Sequence, residues 1–206
     1  MSTRGAVGFR IDGVDKITYN HSDSYPSWLG EQVTAFIRKN RRNGKLFNRV
    51  VKEVKTIRVV DSDSIPTQAD QTRYAHLFQN VSTGKRTEWY ALIRGLQGNL
   101  EGMVDEGIML DGQITMNESL YTEWAYIVNL DTNTLEIYRG FVHEPGKGRY
   151  ADAVPTAPVD WTPRYNSEQF YFPVTLIAEI PFSNVPHKGK LDTYLTETGA
   201  VVEEEV

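Results

Sequence analysis

The sequence contains no cysteine and no long apolar run, and both absences narrow what this chain of 206 residues can be. Without cysteine there is no disulfide framework, no thiolate nucleophile and no cysteine-based zinc site. No stretch of about 18 apolar residues occurs, and the amino terminus lacks a basic segment followed by an apolar one. We therefore expect a cytoplasmic protein with neither a signal peptide nor a membrane partner.

An excess of positive charge is also missing, since 22 basic residues stand against 27 acidic ones and the net charge is −5. Both signs are interspersed along most of the chain, which argues against nucleic acid as a partner. The one basic cluster runs from Arg38 to Lys45. It fits the end of a helix, where cations complement the macrodipole, and a partner-binding patch is the alternative.

Histidine is sparse, and the four histidines lie too far apart in the sequence for a local metal motif. The acidic stretch Asp61-Ser62-Asp63-Ser64 lacks the later glutamate of a calcium-binding EF-hand loop. The glycine pair Gly95 and Gly98 lacks the Gly-Lys-Ser/Thr ending of a phosphate-binding loop. The sequence therefore predicts no metal site and no cofactor.

The residues that are present are typical of a globular domain, with 40% hydrophobic, 11% aromatic and 24% charged. This length fits one domain over residues 1–206, because most domains have roughly 50 to 250 residues. Proline and glycine predict an irregular surface excursion at about 144–165. The acidic carboxyl terminus is expected to be frayed.

Two β-hairpins are the clearest local signals. The first joins predicted strands at Gly5–Ile11 and Lys16–His21 through the tight turn Asp12-Gly13. The second lies within Leu120–Phe141, where aromatic and β-branched residues flank the turn Asp131-Thr132-Asn133. Hairpins of this kind predict antiparallel pairing.

Helical periodicity predicts helices at Glu31–Arg42, Thr67–Phe78 and Glu88–Leu96. Residues Phe47–Val60 fit a strand and a helix equally well, and a further strand is expected at Phe170–Ile180. These elements predict an α+β fold in which antiparallel sheets carry helices on the outside.

The opening Met1-Ser2 predicts chemistry at the amino terminus. Because Ser2 is small, removal of Met1 would leave a free α-amine beside a hydroxyl. An α-amine with a pKa of about 7.7 to 8.0 can accept the proton of that hydroxyl and activate it as a nucleophile. The first hairpin brings Asp23 back towards this end of the chain. Many chains begin with Met-Ser for unrelated reasons, so the prediction depends on these neighbouring residues.

This opening resembles the amino-terminal-nucleophile hydrolases, in particular the penicillin acylase and bile-salt hydrolase branch, which begin Met-Cys-Thr and carry Arg-x-x-Asp at the end of the second strand. Met1-Ser2-Thr3 and Asn20-His21-Ser22-Asp23 occupy these positions here. The resemblance implies an αββα sandwich, with a plain two-layer α+β domain as the alternative. It also implies that Ser2 is the nucleophile, that Asp23 orients the α-amine, that Asn20 replaces the arginine, and that Asn129 is an oxyanion-hole donor.

A longer pattern is similar to a family of uncharacterised bacteriophage and actinobacterial proteins. It comprises T-R-G-x-x-G-F, Y-N-H-x-D-S-Y-P and the later Glu123-Trp124-Ala125-Tyr126. The similarity implies a phage or mobile-element setting and an accessory role against host defences. The alternative function is therefore a non-catalytic protein that binds a host protein or small molecule. His21, Tyr25 and Trp28 are its candidate binding residues.

Overall fold

A five-stranded sheet with strand order β2-β1-β5-β6-β7 forms the centre of the computed structural model, which describes residues 3–80, 85–117, 119–153 and 171–201. A second sheet pairs β3 with β4. The strands are β1 (Gly5–Ile11), β2 (Val14–Asn20), β3 (Arg58–Val60), β4 (Ile108–Leu110), β5 (Trp124–Asn129), β6 (Thr134–Arg139) and β7 (Thr175–Pro181). Neighbouring strands of the larger sheet run antiparallel, except that β1 and β5 are parallel.

Both predicted hairpins are confirmed. The turn between β1 and β2 has Asp12 at φ 50° and Gly13 at φ 76°, the two positive values that a tight two-residue hairpin turn requires. The turn between β5 and β6 contains Asn133 at φ 58°. Strand β2 differs from the prediction because it starts at Val14 and ends at Asn20, which leaves His21 just beyond the sheet.

The helices are α1 (Glu31–Arg41), α2 (Gly44–Thr56), α3 (Gln68–Arg73), α4 (Trp89–Leu92), α5 (Leu100–Glu106) and α6 (Leu191–Glu197). The ambiguous region Phe47–Val60 is therefore a helix followed by a short strand. Val50 and Val54 are buried one helical turn apart, and Lys16 Nζ donates to the carbonyl oxygen of Val54 at 2.8 Å. The predicted helices at 67–78 and 88–96 are shorter because each ends in a 3₁₀ turn.

The larger sheet is buried on both faces. Val7 and Phe9 of β1 point into the main core with the helices, whereas Ala6 points into a smaller core on the opposite face. The α+β class is thus confirmed, with a mixed sheet in place of a wholly antiparallel one. Within the described residues the second sheet has only two strands, so they do not form the two large facing sheets of an αββα sandwich.

The start of the predicted excursion is packed against the smaller core. Tyr150 is buried there, and the guanidinium of Arg149 forms ion pairs with Asp15 and Glu136. The rest of the predicted excursion at 154–170, the acidic end at 202–206, Ser2, and residues 1, 81–84 and 118 lie outside the described residues. In the described part of the chain, no helix has the length and apolar character needed to cross a membrane.

Candidate functional site

One edge of the larger sheet gathers most of the residues that were predicted to carry function. Strands β1, β5 and β7 begin at this edge, and β2 and β6 end there, because β1 and β5 are parallel while the other neighbours alternate. We refer to it as the amino-terminal edge. Its strand ends are Gly5, Asn20, Trp124, Arg139 and Thr175.

Ser24 connects three segments of the chain at the amino-terminal edge. It is fully buried, and its backbone N–H donates to the Thr3 carbonyl at 3.1 Å. Its Oγ accepts from Asn20 Nδ2 at 2.8 Å, and its carbonyl accepts from the hydroxyl of Tyr126 at 3.0 Å. Burial raises the pKa of Tyr126 well above its ordinary value, so this hydroxyl stays a donor. Sequence reasoning did not single out Ser24.

Gly5 makes this connection possible. A Cβ atom at Gly5 would lie 2.3 Å from the Trp124 carbonyl oxygen and 2.6 Å from the Cβ of Ser24. Any larger residue would push Ser24 away from the start of β1. The T-R-G and D-S-Y-P motifs therefore lie next to each other in the structure. Gly5 is the residue of the sequence that indicates this close approach, because only glycine lacks a Cβ atom.

Asn20 and Asp23 both lie at the amino-terminal edge, as the hairpin predicted. Asn20 pairs with Gly5 in the sheet register, and its amide donates to the Ser22 carbonyl at 2.5 Å as well as to Ser24. These two bonds give Asn20 the role of holding the turn. Asp23 adopts a left-handed conformation at φ 55° and is exposed, and its carboxylate accepts a long 3.5 Å hydrogen bond from Tyr25.

A group of polar side chains lies beside the start of β1. The hydroxyl of Tyr19 lies 3.3 Å from Nδ1 of His21. Glu123 accepts from the backbone N–H of Arg4 at 3.2 Å. Partial burial raises the pKa of Tyr19, and the positive charge of Arg4 opposes that rise. Arg4 and Glu123 belonged to the family pattern but were not predicted as site residues.

Trp28 lies on a π-helical segment, Pro26–Gly30, that follows this turn, and Tyr25 is the residue just before it. The N–H of Gly30 donates to the Tyr25 carbonyl, which gives the segment its five-residue hydrogen bond. Trp28 is 61% exposed and Tyr25 is 37% exposed. Single π turns are frequent at functional sites, and a tryptophan this exposed is unusual. The predicted binding residues His21, Tyr25 and Trp28 are thus all accessible.

The structure does not bring Asn129 to the amino-terminal edge. It is the last residue of β5, five residues from Trp124, which is about 17 Å along a strand. Its amide donates to Glu136 at 2.6 Å, and its oxygen accepts from the backbone N–H groups of Asp131 and Thr132. Asn129 therefore closes the β5–β6 turn, and the oxyanion-hole role implied for it does not fit this position.

In the described part of the chain, no three acidic or histidine side chains cluster in a way that could hold a metal ion. No family model, curated protein or solved structure matches the chain. Its function is therefore inferred from the residues of the amino-terminal edge.

Proposed function

We propose that the chain cleaves or transfers an acyl group from an amide, with Ser2 as its nucleophile after removal of Met1. The observation that carries this proposal is the hydrogen bond from Ser24 to Thr3, which holds residue 3 beside the turn bearing Asp23. Ser2 directly precedes Thr3 in the chain, so the residue held at this turn is the immediate neighbour of the proposed nucleophile.

The chemistry needs no group beyond the chain and water. The α-amine of Ser2 accepts the Oγ proton while Oγ attacks the amide carbonyl carbon, and the resulting ammonium protonates the departing nitrogen as the C–N bond breaks. Water then attacks the acyl ester while giving a proton to the same amine. The ammonium returns that proton to Oγ as the ester C–O bond breaks, which releases the carboxylic acid and restores the hydroxyl. The exposed carboxylate of Asp23 is suited to hold the ammonium, because the hydrogen bond that it accepts from Tyr25 is long, at 3.5 Å.

A covalent probe tests the nucleophile without knowledge of the substrate. We expect a fluorophosphonate to add once to the wild-type protein, on Ser2, as read by intact mass and peptide mapping. Ser2→Ala should not be labelled, whereas Ser22→Ala, which removes an exposed hydroxyl from the nearby turn, should be labelled as wild type. Equal labelling of wild type and Ser2→Ala, or an intact mass that retains Met1, would contradict the proposal.

Turnover can be tested with acyl p-nitroanilides, penicillin V and glycine-conjugated bile salts, the amides suggested by the resemblance. For any amide that wild type hydrolyses, we expect Ser2→Ala to lower kcat/KM by on the order of a thousandfold or more. Ser22→Ala should leave kcat/KM within about twofold. Circular dichroism should give the same spectrum for all three proteins, which separates lost chemistry from lost folding.

The exposure of Trp28 favours a second candidate function, the non-catalytic binding of a host protein or small molecule. This function predicts that Ser2→Ala is harmless and that Trp28→Ala abolishes capture of a partner from a bacterial lysate. Val14→Ala is the matched control, since Val14 is 55% exposed and lies at the opposite edge of the sheet. Equal capture by the Trp28 and Val14 variants would exclude binding through this surface.

A further inference from the structure

Positive charge is concentrated in one short region of an acidic chain. Residues 38–55 contain eight lysines and arginines against one acidic residue, Glu53, and therefore carry a net charge of +7. Because the whole chain carries −5, the remaining residues carry −12. This segregation is the kind of charge asymmetry that accompanies binding to polyanions.

The end of helix α1 accounts for part of this charge. Helix α1 ends at Arg41, as the basic cluster predicted, and the guanidinium groups of Arg38 and Arg41 donate to backbone carbonyls of the 182–186 segment. The cluster nevertheless continues into α2, whose first turn contains Lys45. The macrodipole disfavours a cation at that position, so the helix-end explanation does not extend to Lys45.

The basic residues of α2 form a stripe on its outer side. Lys45, Arg49 and Lys52 are spaced by four and then three residues, which places them on one face, and all three are exposed. Arg42 is exposed just before the helix begins. Arg49 pairs with Asp105, while no acidic side chain of the described residues lies within ion-pair distance of Arg42, Lys45 or Lys52.

The outer side of α2 favours a nucleic acid over a membrane surface. A helix that lies on a bilayer needs exposed apolar side chains to insert, and the stripe shares its face with Asn48 and with no exposed large apolar residue of the described chain. A phosphate backbone needs only cations at intervals along the contact.

We propose that the stripe formed by Arg42, Lys45, Arg49 and Lys52 binds the phosphate backbone of a nucleic acid without reading its base sequence. The sequence had argued against this partner because the two signs of charge alternate along most of the chain. The fold favours it nonetheless, since it places two consecutive basic helices beside each other. Lys39, Arg49 and Lys55 pair with acidic side chains there, which leaves Arg42, Lys45 and Lys52 as the exposed cations outside these ion pairs. The proposal does not depend on the chemistry of Ser2.

Fluorescence anisotropy tests nucleic-acid binding by the stripe. The two probes are a labelled DNA duplex of about 30 base pairs and a labelled single-stranded RNA of about 30 nucleotides. Each phosphate contact on a duplex contributes a slope of about −0.9 in log K against log salt. Four contacts therefore predict a weakening of about 150-fold between roughly 50 and 200 mM salt.

The matched variants are two triple charge reversals. The first variant removes the unpaired cations of the stripe by combining Arg42→Glu, Lys45→Glu and Lys52→Glu. We expect it to weaken nucleic-acid binding at least tenfold and to flatten the salt dependence of binding. The control variant combines Lys85→Glu, Arg86→Glu and Lys147→Glu at other exposed positions. It changes the net charge by the same amount and should bind nucleic acid as wild type does. Thermal melts confirm that both variants are folded.

Three outcomes would overturn the proposal. The first is that wild type fails to bind either nucleic acid at about 50 mM salt. The second is that the two triple variants lose equal affinity, which would reflect net charge alone. The third is that wild type binds phosphatidylserine vesicles and neither nucleic acid, which would assign the stripe to a membrane surface.

Discussion

The carboxylate of Glu136 lies buried in β6 and is surrounded by hydrogen-bond donors. Arg149 donates to it twice, at 3.0 and 2.7 Å, and Asn129 and Tyr138 donate at 2.6 and 2.8 Å. Burial by itself would raise the pKa of Glu136, but these hydrogen bonds outweigh burial and hold the pKa below its ordinary value. Because Arg149 belongs to the 144–153 segment, the ionised carboxylate also fixes that segment to the sheet.

Glu136→Gln should lower the free energy of unfolding by about 1 to 3 kcal/mol near neutral pH, since it weakens charge-assisted hydrogen bonds in a buried site. A pKa that is lower in the folded state stabilises the protein fully above the unfolded value, near 4.5, and this stabilisation is lost as pH falls through the folded value. Urea denaturation should therefore show the gap between wild type and variant narrowing on acidification. Glu144→Gln, an exposed control in the same segment, should show no such gap.

At the scale of elements, the end of β6 is fixed by a close approach of two backbone segments. A Cβ atom at Gly140 would lie 1.9 Å from the carbonyl oxygen of Thr122 and 2.7 Å from that of Ser119. These are backbone atoms just before β5, so neither can move without disturbing the start of that strand. Gly44, the first residue of α2, has no such neighbour within 4 Å.

Gly140→Ala should therefore destabilise the protein by about 1 to 3 kcal/mol or more, as overpacking against fixed atoms does. Gly44→Ala should stabilise it by about 0.4 to 1 kcal/mol, because alanine restricts the unfolded chain at a helical position with free space. Urea denaturation of the two variants beside wild type measures both effects. Equal free energies of unfolding would show that the backbone approach at Gly140 is looser than described.

At the scale of the whole molecule, the main core and the smaller core share the same central strands. Val7 and Phe9 face one core and Ala6 the other, while Tyr126 and Ile127 of β5 divide in the same way. Unfolding of these shared strands would therefore disrupt both cores at once. We therefore expect the described residues to unfold as one cooperative unit.

We expect thermal unfolding followed by circular dichroism near 222 nm to coincide with unfolding followed by tryptophan fluorescence. Trp89 and Trp124 are both buried in the main core and report on its exposure. A Trp28→Phe background removes the signal of the exposed tryptophan at the amino-terminal edge. Two separated midpoints would show that the chain unfolds in parts.

The candidate site was predictable only in its local part. The positions of Asn20 and Asp23 followed from the first hairpin, because turn chemistry and strand alternation are written in neighbouring residues. The roles of Ser24 and Glu123 were not predictable, since each depends on partners brought together by folding. Asn129 lies at the opposite edge of the sheet, and the sequence could not show this because it depends on the pairing of β5 with the distant strand β1.

The sequence by itself determined the α+β class, both hairpins and helix α1, all of which depend on turn residues and periodicity within a few positions. The tertiary structure alone decided the parallel pairing of β1 with β5, which joins residues more than a hundred positions apart. It also decided the burial of Ser24 and the pairing of Arg49 with Asp105. Such features follow from long-range hydrogen bonds and packing, which leave no periodic pattern along the chain.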